Sequence, residues 1–110
     1  MGRLFAQPAG DEVVDFETFR DLVRTGAAAI VDVREPHEFA SGHVEGATNL
    51  PLSRFDPADL PTDRPVVLMC LSGARSAQAQ SIARGAGRAD VRNYRESLNG
   101  WRARGGRLVV

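Results

Sequence analysis

The chain has 110 residues, which is enough for one domain with an apolar core and too few for a second. Fourteen basic residues, all of them arginine, balance fourteen acidic ones, so no overall charge favours nucleic acid or an anionic membrane as a partner. One cysteine excludes an internal disulfide, and no apolar run is long enough for a membrane span or a signal peptide. The sequence therefore predicts a cytoplasmic protein.

The first half of the chain alternates short strands with short helices. Residues 13–14 form a predicted strand, Asp15 can cap the helix that follows through its carboxylate, and Gly26 ends that helix. The run "AAAIVDVR" is apolar until its last residues, which indicates a strand covered on both faces. "EPHEFASGH" predicts a short helix with Pro36 in its first turn and Gly42 at its end, and "GATNLPL" predicts a brief strand.

The second half repeats this alternation. "PADLPTDRP" is a predicted loop with a helical turn, and "PVVLMC" is a second fully apolar strand. "RSAQAQSIARGAG" predicts a helix that ends at Gly87. Its inner face is expected to consist of small residues around one isoleucine: Ala77, Ala79, Ala83, Ala86 and Ile82. "ADVRNYR" is the last predicted strand, and "SLNGWRARG" is a final helix with Leu98 and Trp101 on one face.

Strands that alternate with helices predict an α/β domain whose central sheet is mainly parallel, with helices on both faces. In such sheets, ligands bind beyond the carboxyl ends of the strands. One apolar strand ends at Asp32 and Arg34, and the other ends at Cys70. Parallel strands would bring these three residues to the same edge of the sheet, which indicates a site there.

The segment after the second apolar strand is suited to holding a sulfur anion. Four small or apolar residues separate Cys70 from Arg75, and Ser76 continues into a helix; the four are Leu71, Ser72, Gly73 and Ala74. Their backbone amides can turn inward and, with the start of the helix, form an anion-binding nest around the Cys70 sulfur. Such a nest lowers the pKa of a thiol. A loop this short suits a thiolate or a persulfide better than a tetrahedral oxyanion.

Two interpretations of Cys70 are open at this point. A lone cysteine after an apolar run is commonly a small buried hydrophobe. The small-residue turn, the arginine and the helix start together favour a reactive thiol instead. Asp32 and Glu38 are the candidate partners of Arg75, because an arginine fork fits a carboxylate. One cysteine and two scattered histidines form no metal-ligand cluster, so neither a metal nor a cofactor is expected.

Three segments together resemble the single-domain rhodanese-like sulfurtransferases: "IVDVREPHEFASGHVEGATNLPL", "VVLMCLSGARSAQAQSIARGAG" and "DVRNYRESLNGW". The resemblance runs from about Asp11 to the C-terminus. It implies a three-layer rhodanese-like domain over residues 11–110, preceded by an N-terminal extension over residues 1–10. It also implies that Cys70 is the catalytic residue, that Arg75 closes the active-site loop, and that Gly42 and His43 shape a turn.

The resemblance implies a double displacement in which Cys70 takes a sulfane sulfur from a donor and passes it, as a persulfide, to an acceptor. The donor would be thiosulfate, a persulfide or a polysulfide, and the acceptor cyanide or a thiol. Either one could be carried by a protein. The alternative is a rhodanese-like binding or sulfur-sensing module with little turnover. Retention of Cys70, the small loop and Arg75 favours the enzyme.

The sequence departs from its relatives beside the predicted site. Leu71 stands where many relatives carry a basic residue, and Glu96 and Ser97 stand where they usually carry two glycines. An apolar side chain at residue 71 weakens the attraction of a dianion such as thiosulfate. Glu96 is expected at the rim of the pocket, where its negative charge would repel an anionic donor and its bulk would narrow the pocket. We therefore predict a preference for a neutral or protein-borne donor.

Overall fold

Five short strands form one parallel sheet in the computed structural model, which describes residues 12–110. The strands are β1 (Val13–Val14), β2 (Ala29–Asp32), β3 (Thr48–Asn49), β4 (Val66–Met69) and β5 (Val91–Tyr94). The helices are α1 (Phe16–Thr25), α2 (Pro36–Ala40), α3 (Ala74–Gly85) and α4 (Ser97–Ala103), with 3-10 turns at Leu52–Arg54 and Pro57–Asp59. The predicted N-terminal extension lies outside the described residues.

The strand order β1-β5-β4-β2-β3 places β4 in the centre of the sheet. β2 and β4 pair over their whole lengths, and Asp32 lies opposite Met69 in this register. The residues that follow these two strands therefore emerge side by side at the carboxyl edge. The prediction of an α/β domain with a parallel central sheet is confirmed.

Each face of the sheet is covered by its own apolar cluster. Phe19 and Leu22 from α1, with Leu98 and Trp101 from α4, pack against one face. Ala79 and Ala83 from α3 pack against the other face, together with the alternate residues of β4 and with Cys70. This arrangement gives the predicted three layers, because successive strand residues point to opposite faces.

The inner face of α3 differs from the sequence prediction. Its buried residues are Ser76, Ala79, Gln80 and Ala83, whereas Ile82 is 41% exposed and Ala77 and Ala86 also face solvent. Residues three and four positions apart share one side of a helix, so the packed stripe passes through residues 76, 79, 80 and 83. Gln80 is buried because its side-chain amide donates to the carbonyls of Glu12 and Val91.

The turns around the sheet use local caps. The Asp15 carboxylate accepts a hydrogen bond from Thr18 N at 2.9 Å, as predicted, and Gly26 ends α1 in the left-handed conformation. His43 and Val109 exchange two backbone hydrogen bonds of 2.9 and 2.8 Å. The His43 ring stacks on Phe39, 3.7 Å between centroids, so this histidine joins the chain's C-terminal segment to the turn after α2.

Candidate active site

The Cys70 sulfur lies in a closed loop at the carboxyl edge of the sheet. Cys70 follows β4 directly and is 1% exposed. Three donors reach its Sγ: Gly73 N at 3.1 Å, Ser76 N at 3.4 Å and Ser76 Oγ at 3.5 Å. The chain between residues 70 and 76 therefore curls around the sulfur with its amide groups inward.

The hydrogen bonds from these donors affect the protonation state of the Cys70 thiol. Burial of Cys70 raises its pKa, while hydrogen bonds from the Ser76 hydroxyl and from the amides of Ser76, Gly73 and Ser72 lower it. The hydrogen bonds outweigh burial, so the pKa of Cys70 lies below its usual value. The thiolate is the nucleophilic form of cysteine, and the loop favours it.

Gly73 is required by the shape of the loop. Its φ of +101° is in the region that side chains rarely adopt, and a Cβ built there would lie 2.3 Å from the Arg95 carbonyl oxygen. A larger residue would push the loop away from the strand-to-helix turn after β5. The hydrogen bond from Gly73 N is also the shortest of the three that reach the sulfur.

Arg75 closes the loop through Glu38, one of its two candidate partners. Arg75 Nη1 donates to Glu38 Oε1 at 2.7 Å, and Nη2 donates to Oε2 at 3.1 Å. These hydrogen bonds lower the pKa of Glu38 to about 2, so the carboxylate is charged across the physiological range. Oε1 also accepts Glu35 N at 3.0 Å, which fixes Glu38 at the start of α2.

Asp32 does not pair with Arg75, and the expectation that it could is corrected by the structure. Its carboxylate accepts Arg34 N, Nε and Nη2 at 2.9 to 3.1 Å, and both side chains are buried. Residues two apart in an extended segment point the same way, so Arg34 is the nearer cation. Arg34 Nη2 also donates to the Gly42 carbonyl at 2.8 Å. The pair holds the turn after α2 beside the loop.

A cleft of about 350 Å³ borders the loop. Leu71, Leu98 and Leu108 form its apolar lining, and its charged lining includes Arg34, Glu38 and the exposed Arg102. Leu71 is thus an apolar side chain beside Cys70, as expected. The size and mixed lining suit a small ligand with an apolar body and a charged end.

Glu96, which was expected at the rim of the pocket, is paired with an arginine of α4's C-terminal end. The cleft lining does not include it, and its carboxylate accepts Arg104 Nε and Nη2 at 2.8 and 3.0 Å. These bonds lower the pKa of Glu96, so the carboxylate stays ionised, and the positive charge of Arg104 offsets its negative charge. Of these departures from the family pattern, Leu71 is the one that lines the cleft.

Sequence reasoning missed a set of contacts from α4 to the Cys70 main chain. The Ser97 hydroxyl accepts Cys70 N at 3.1 Å, and the amides of Leu98 and Asn99 donate to the carbonyls of Cys70 and Leu71 at 3.0 Å each. No pattern in the sequence joins these two segments, which are more than twenty residues apart. The sequence showed a serine where relatives usually carry glycine at residue 97, but it did not show that this serine binds the Cys70 amide.

Comparison with known proteins places the chain in a family. The sequence profile of the rhodanese-like domain matches residues 15–104. The chain belongs to the rhodanese-like domain family. Within residues 12–110, no helix is long and apolar enough to cross a membrane, and no three His, Cys, Asp or Glu side chains are grouped as a metal site would need.

Three relatives illustrate the range of this rhodanese-like domain. The uncharacterized protein YqhL of Bacillus subtilis is 38% identical over 76 residues, which are 67% of this chain and 60% of that protein. The human thiosulfate:glutathione sulfurtransferase is 31% identical over 109 residues, covering 84% of this chain and 95% of the relative. The structure of a human single-domain sulfurtransferase superposes with a TM-score of 0.72 and 29% identity, covering 84% of this chain and 96% of that one.

The length of the match varies among the relatives. The chain spans 51 to 60% of the length of two of the curated bacterial proteins that it matches. The human thiosulfate:glutathione sulfurtransferase and the human single-domain sulfurtransferase are matched over 95 and 96% of their lengths.

Proposed function

We propose that this chain transfers a sulfane sulfur through a persulfide on Cys70. The observation that carries the proposal is the set of donors around Sγ, with Gly73 N at 3.1 Å and the Ser76 amide and hydroxyl at 3.4 and 3.5 Å. Their hydrogen bonds lower the pKa of Cys70 and stabilise a nucleophilic sulfur anion. A buried structural cysteine has no need of such donors.

In the first step, the Cys70 thiolate attacks the outer sulfur of the donor. A new sulfur–sulfur bond forms, and the bond inside the donor breaks. Its electron pair leaves with sulfite, when thiosulfate is the donor, or with a thiolate, when the donor is a persulfide. Cys70 then carries a terminal sulfur with a negative charge, which the loop amides can stabilise as they stabilise the thiolate.

In the second step, cyanide or a thiolate attacks the terminal sulfur. The bond between that sulfur and Cys70 breaks, and its electron pair returns to Sγ as the thiolate. The acceptor leaves as thiocyanate or as a persulfide, so no external oxidant is needed. A thiol acceptor is supported by the name of the human relative, thiosulfate:glutathione sulfurtransferase, and by a cleft of about 350 Å³ next to the loop.

The donor is proposed to be an organic persulfide or polysulfide in preference to thiosulfate. Leu71 adds no positive charge beside Cys70, and Arg75 is already engaged by both oxygens of Glu38. A dianion therefore gains little from the side chains next to the sulfur. Arg102 at the cleft is available for a single negative charge, such as the carboxylate of a small thiol.

The mass of the purified protein tests the mechanism. We expect a gain of one sulfur atom after incubation with a persulfide, a polysulfide or thiosulfate, and its loss when a thiol or cyanide is added. Repeated cycles would identify an enzyme, whereas a single slow discharge would identify a binding or sensing module. The absence of any mass gain with all three donors would contradict the proposal.

A further inference from the structure

Ser97 has a backbone conformation that a serine rarely adopts. Its φ is +53°, and within residues 12–110 no other non-glycine residue has a positive φ. The residue is completely buried. Glycine would adopt this conformation without strain, so some interaction of the side chain must compensate for the serine.

The Ser97 hydroxyl joins the ends of two neighbouring strands. It accepts a hydrogen bond from Cys70 N at 3.1 Å and donates one to the Tyr94 carbonyl at 2.8 Å. Tyr94 is the last residue of β5, and Cys70 follows the last residue of β4. The hydroxyl therefore uses both its donor and its acceptor capacity in a place that excludes water.

The same turn of α4 holds the other side of the Cys70 peptide. Leu98 N donates to the Cys70 carbonyl at 3.0 Å, and Asn99 N donates to the Leu71 carbonyl at 3.0 Å. The amide and the carbonyl of Cys70 are thus both bound by consecutive residues. These contacts fix the direction of the Cα–Cβ bond and, with it, the place of the sulfur.

We propose that Ser97 is a positioning residue that holds Cys70 so that its sulfur faces the amides of Gly73 and Ser76. The inference rests on the proposed role of Cys70 as the nucleophile. Without the hydroxyl, the Cys70 amide is buried with no partner and its peptide group is free to rotate toward another acceptor. The sulfur then moves away from donors that now lie at 3.1 and 3.4 Å, and the thiolate loses its stabilisation.

Two variants separate this role from a general effect on stability. Ser97→Gly and Ser97→Ala both remove the hydroxyl, but only glycine relieves the strain of the positive φ. The alanine variant should therefore melt at a lower temperature than the glycine variant. Both should show the same loss of reactivity, because both lose the same hydrogen bonds. Ser81→Ala, at an exposed position on α3, is the control.

The measurements are the pH profile of Cys70 alkylation and the single-turnover rate of sulfur uptake. We expect both variants to shift the alkylation profile to higher pH and to take up sulfur several-fold more slowly at neutral pH. The KM for the donor should change little, since Ser97 does not line the cleft. The role of Ser97 would be overturned if the rate of sulfur uptake fell across the two variants only in proportion to the melting temperature. An unchanged alkylation profile in Ser97→Gly would overturn it as well.

Hydrogen exchange in the native protein gives an independent test. The Cys70 amide should exchange far more slowly than an exposed amide, and rapid exchange would also contradict the inference. Alkylation does not require sulfur transfer, so the two proposals can fail separately. If the native protein takes up no sulfur but the variants still shift the alkylation profile, only the proposed function is wrong.

Discussion

The Arg75 guanidinium and the Glu38 carboxylate meet through two parallel hydrogen bonds of 2.7 and 3.1 Å. Arg75 closes the loop around Cys70, and Glu38 lies in the first turn of α2, 37 positions away in the sequence. Both side chains are about one quarter to one third exposed, so the pair is only partly screened by water. It ties the loop to α2, whose Glu38 lines the cleft.

We expect Arg75→Lys to lower both activity and stability. Lysine keeps the charge but cannot form two parallel bonds to one carboxylate. The free energy of unfolding should fall by about 1 kcal/mol, and kcat for sulfur transfer several-fold. Urea denaturation and steady-state kinetics measure the two effects, with Arg24→Lys in the exposed pair with Asp21 as the control. Full activity and stability of the lysine variant would mean that a positive charge alone is enough.

The stabilising effect of Glu38 should disappear in acid. Its pKa is lowered from 4.5 to about 2 by the Arg75 hydrogen bonds, so its contribution is fully present above 4.5. That contribution is lost as the pH falls toward about 2, because the unfolded state then gains its proton first. The difference in unfolding free energy between the native protein and Glu38→Gln should shrink over this range. A difference that stays constant with pH would contradict the pairing.

Cys70→Ser should fold normally and transfer no sulfur. The hydroxyl fits the same space, but it is a far weaker nucleophile and cannot carry a sulfane sulfur. Turnover is measured with a persulfide, a polysulfide and thiosulfate, and the melting temperature shows that the fold is retained. Measurable transfer by the serine variant with any of these donors would rule out the mechanism.

The Cys70 thiolate should form at a lower pH than that of a free cysteine, whose pKa is about 8.5. An alkylation-rate profile against pH should inflect below that value. Ser76→Ala removes the hydroxyl that lies 3.5 Å from Sγ and should move the inflection upward. A native profile that matches free cysteine would show that the loop does not stabilise the thiolate in solution.

Leu71→Arg should improve the use of thiosulfate. One charge added at a partly solvated site changes the binding free energy of an ion by about 1 kcal/mol, which corresponds to a several-fold change in affinity. We expect the ratio of kcat/KM for thiosulfate to that for a persulfide to rise by this factor, mainly through KM. Leu71→Gln, which is polar without charge, is the matched control. An unchanged ratio, or a native protein that already prefers thiosulfate, would show that residue 71 does not select the donor.

The sequence alone was sufficient for the architecture and for the loop. The apolar runs that end at Asp32 and Cys70 indicated two strands covered on both faces, and the structure has them side by side in the sheet. The spacing from Cys70 to Arg75 indicated a loop with inward amides, and two of those amides lie within 3.4 Å of Sγ. Each strand and the loop depend on residues close together in the chain, where backbone geometry leaves few choices.

Only the tertiary structure decided the partners of the charged and polar residues. The sequence left two carboxylates, Asp32 and Glu38, as candidate partners of Arg75. In the structure Asp32 pairs with Arg34, and Glu38 pairs with Arg75. Ser97 gave no local signal of its bond to Cys70, since the contact exists only where α4 begins against the end of β4. Such choices depend on which groups meet at one edge of the sheet and on competition among them, and sequence spacing carries no information about that competition.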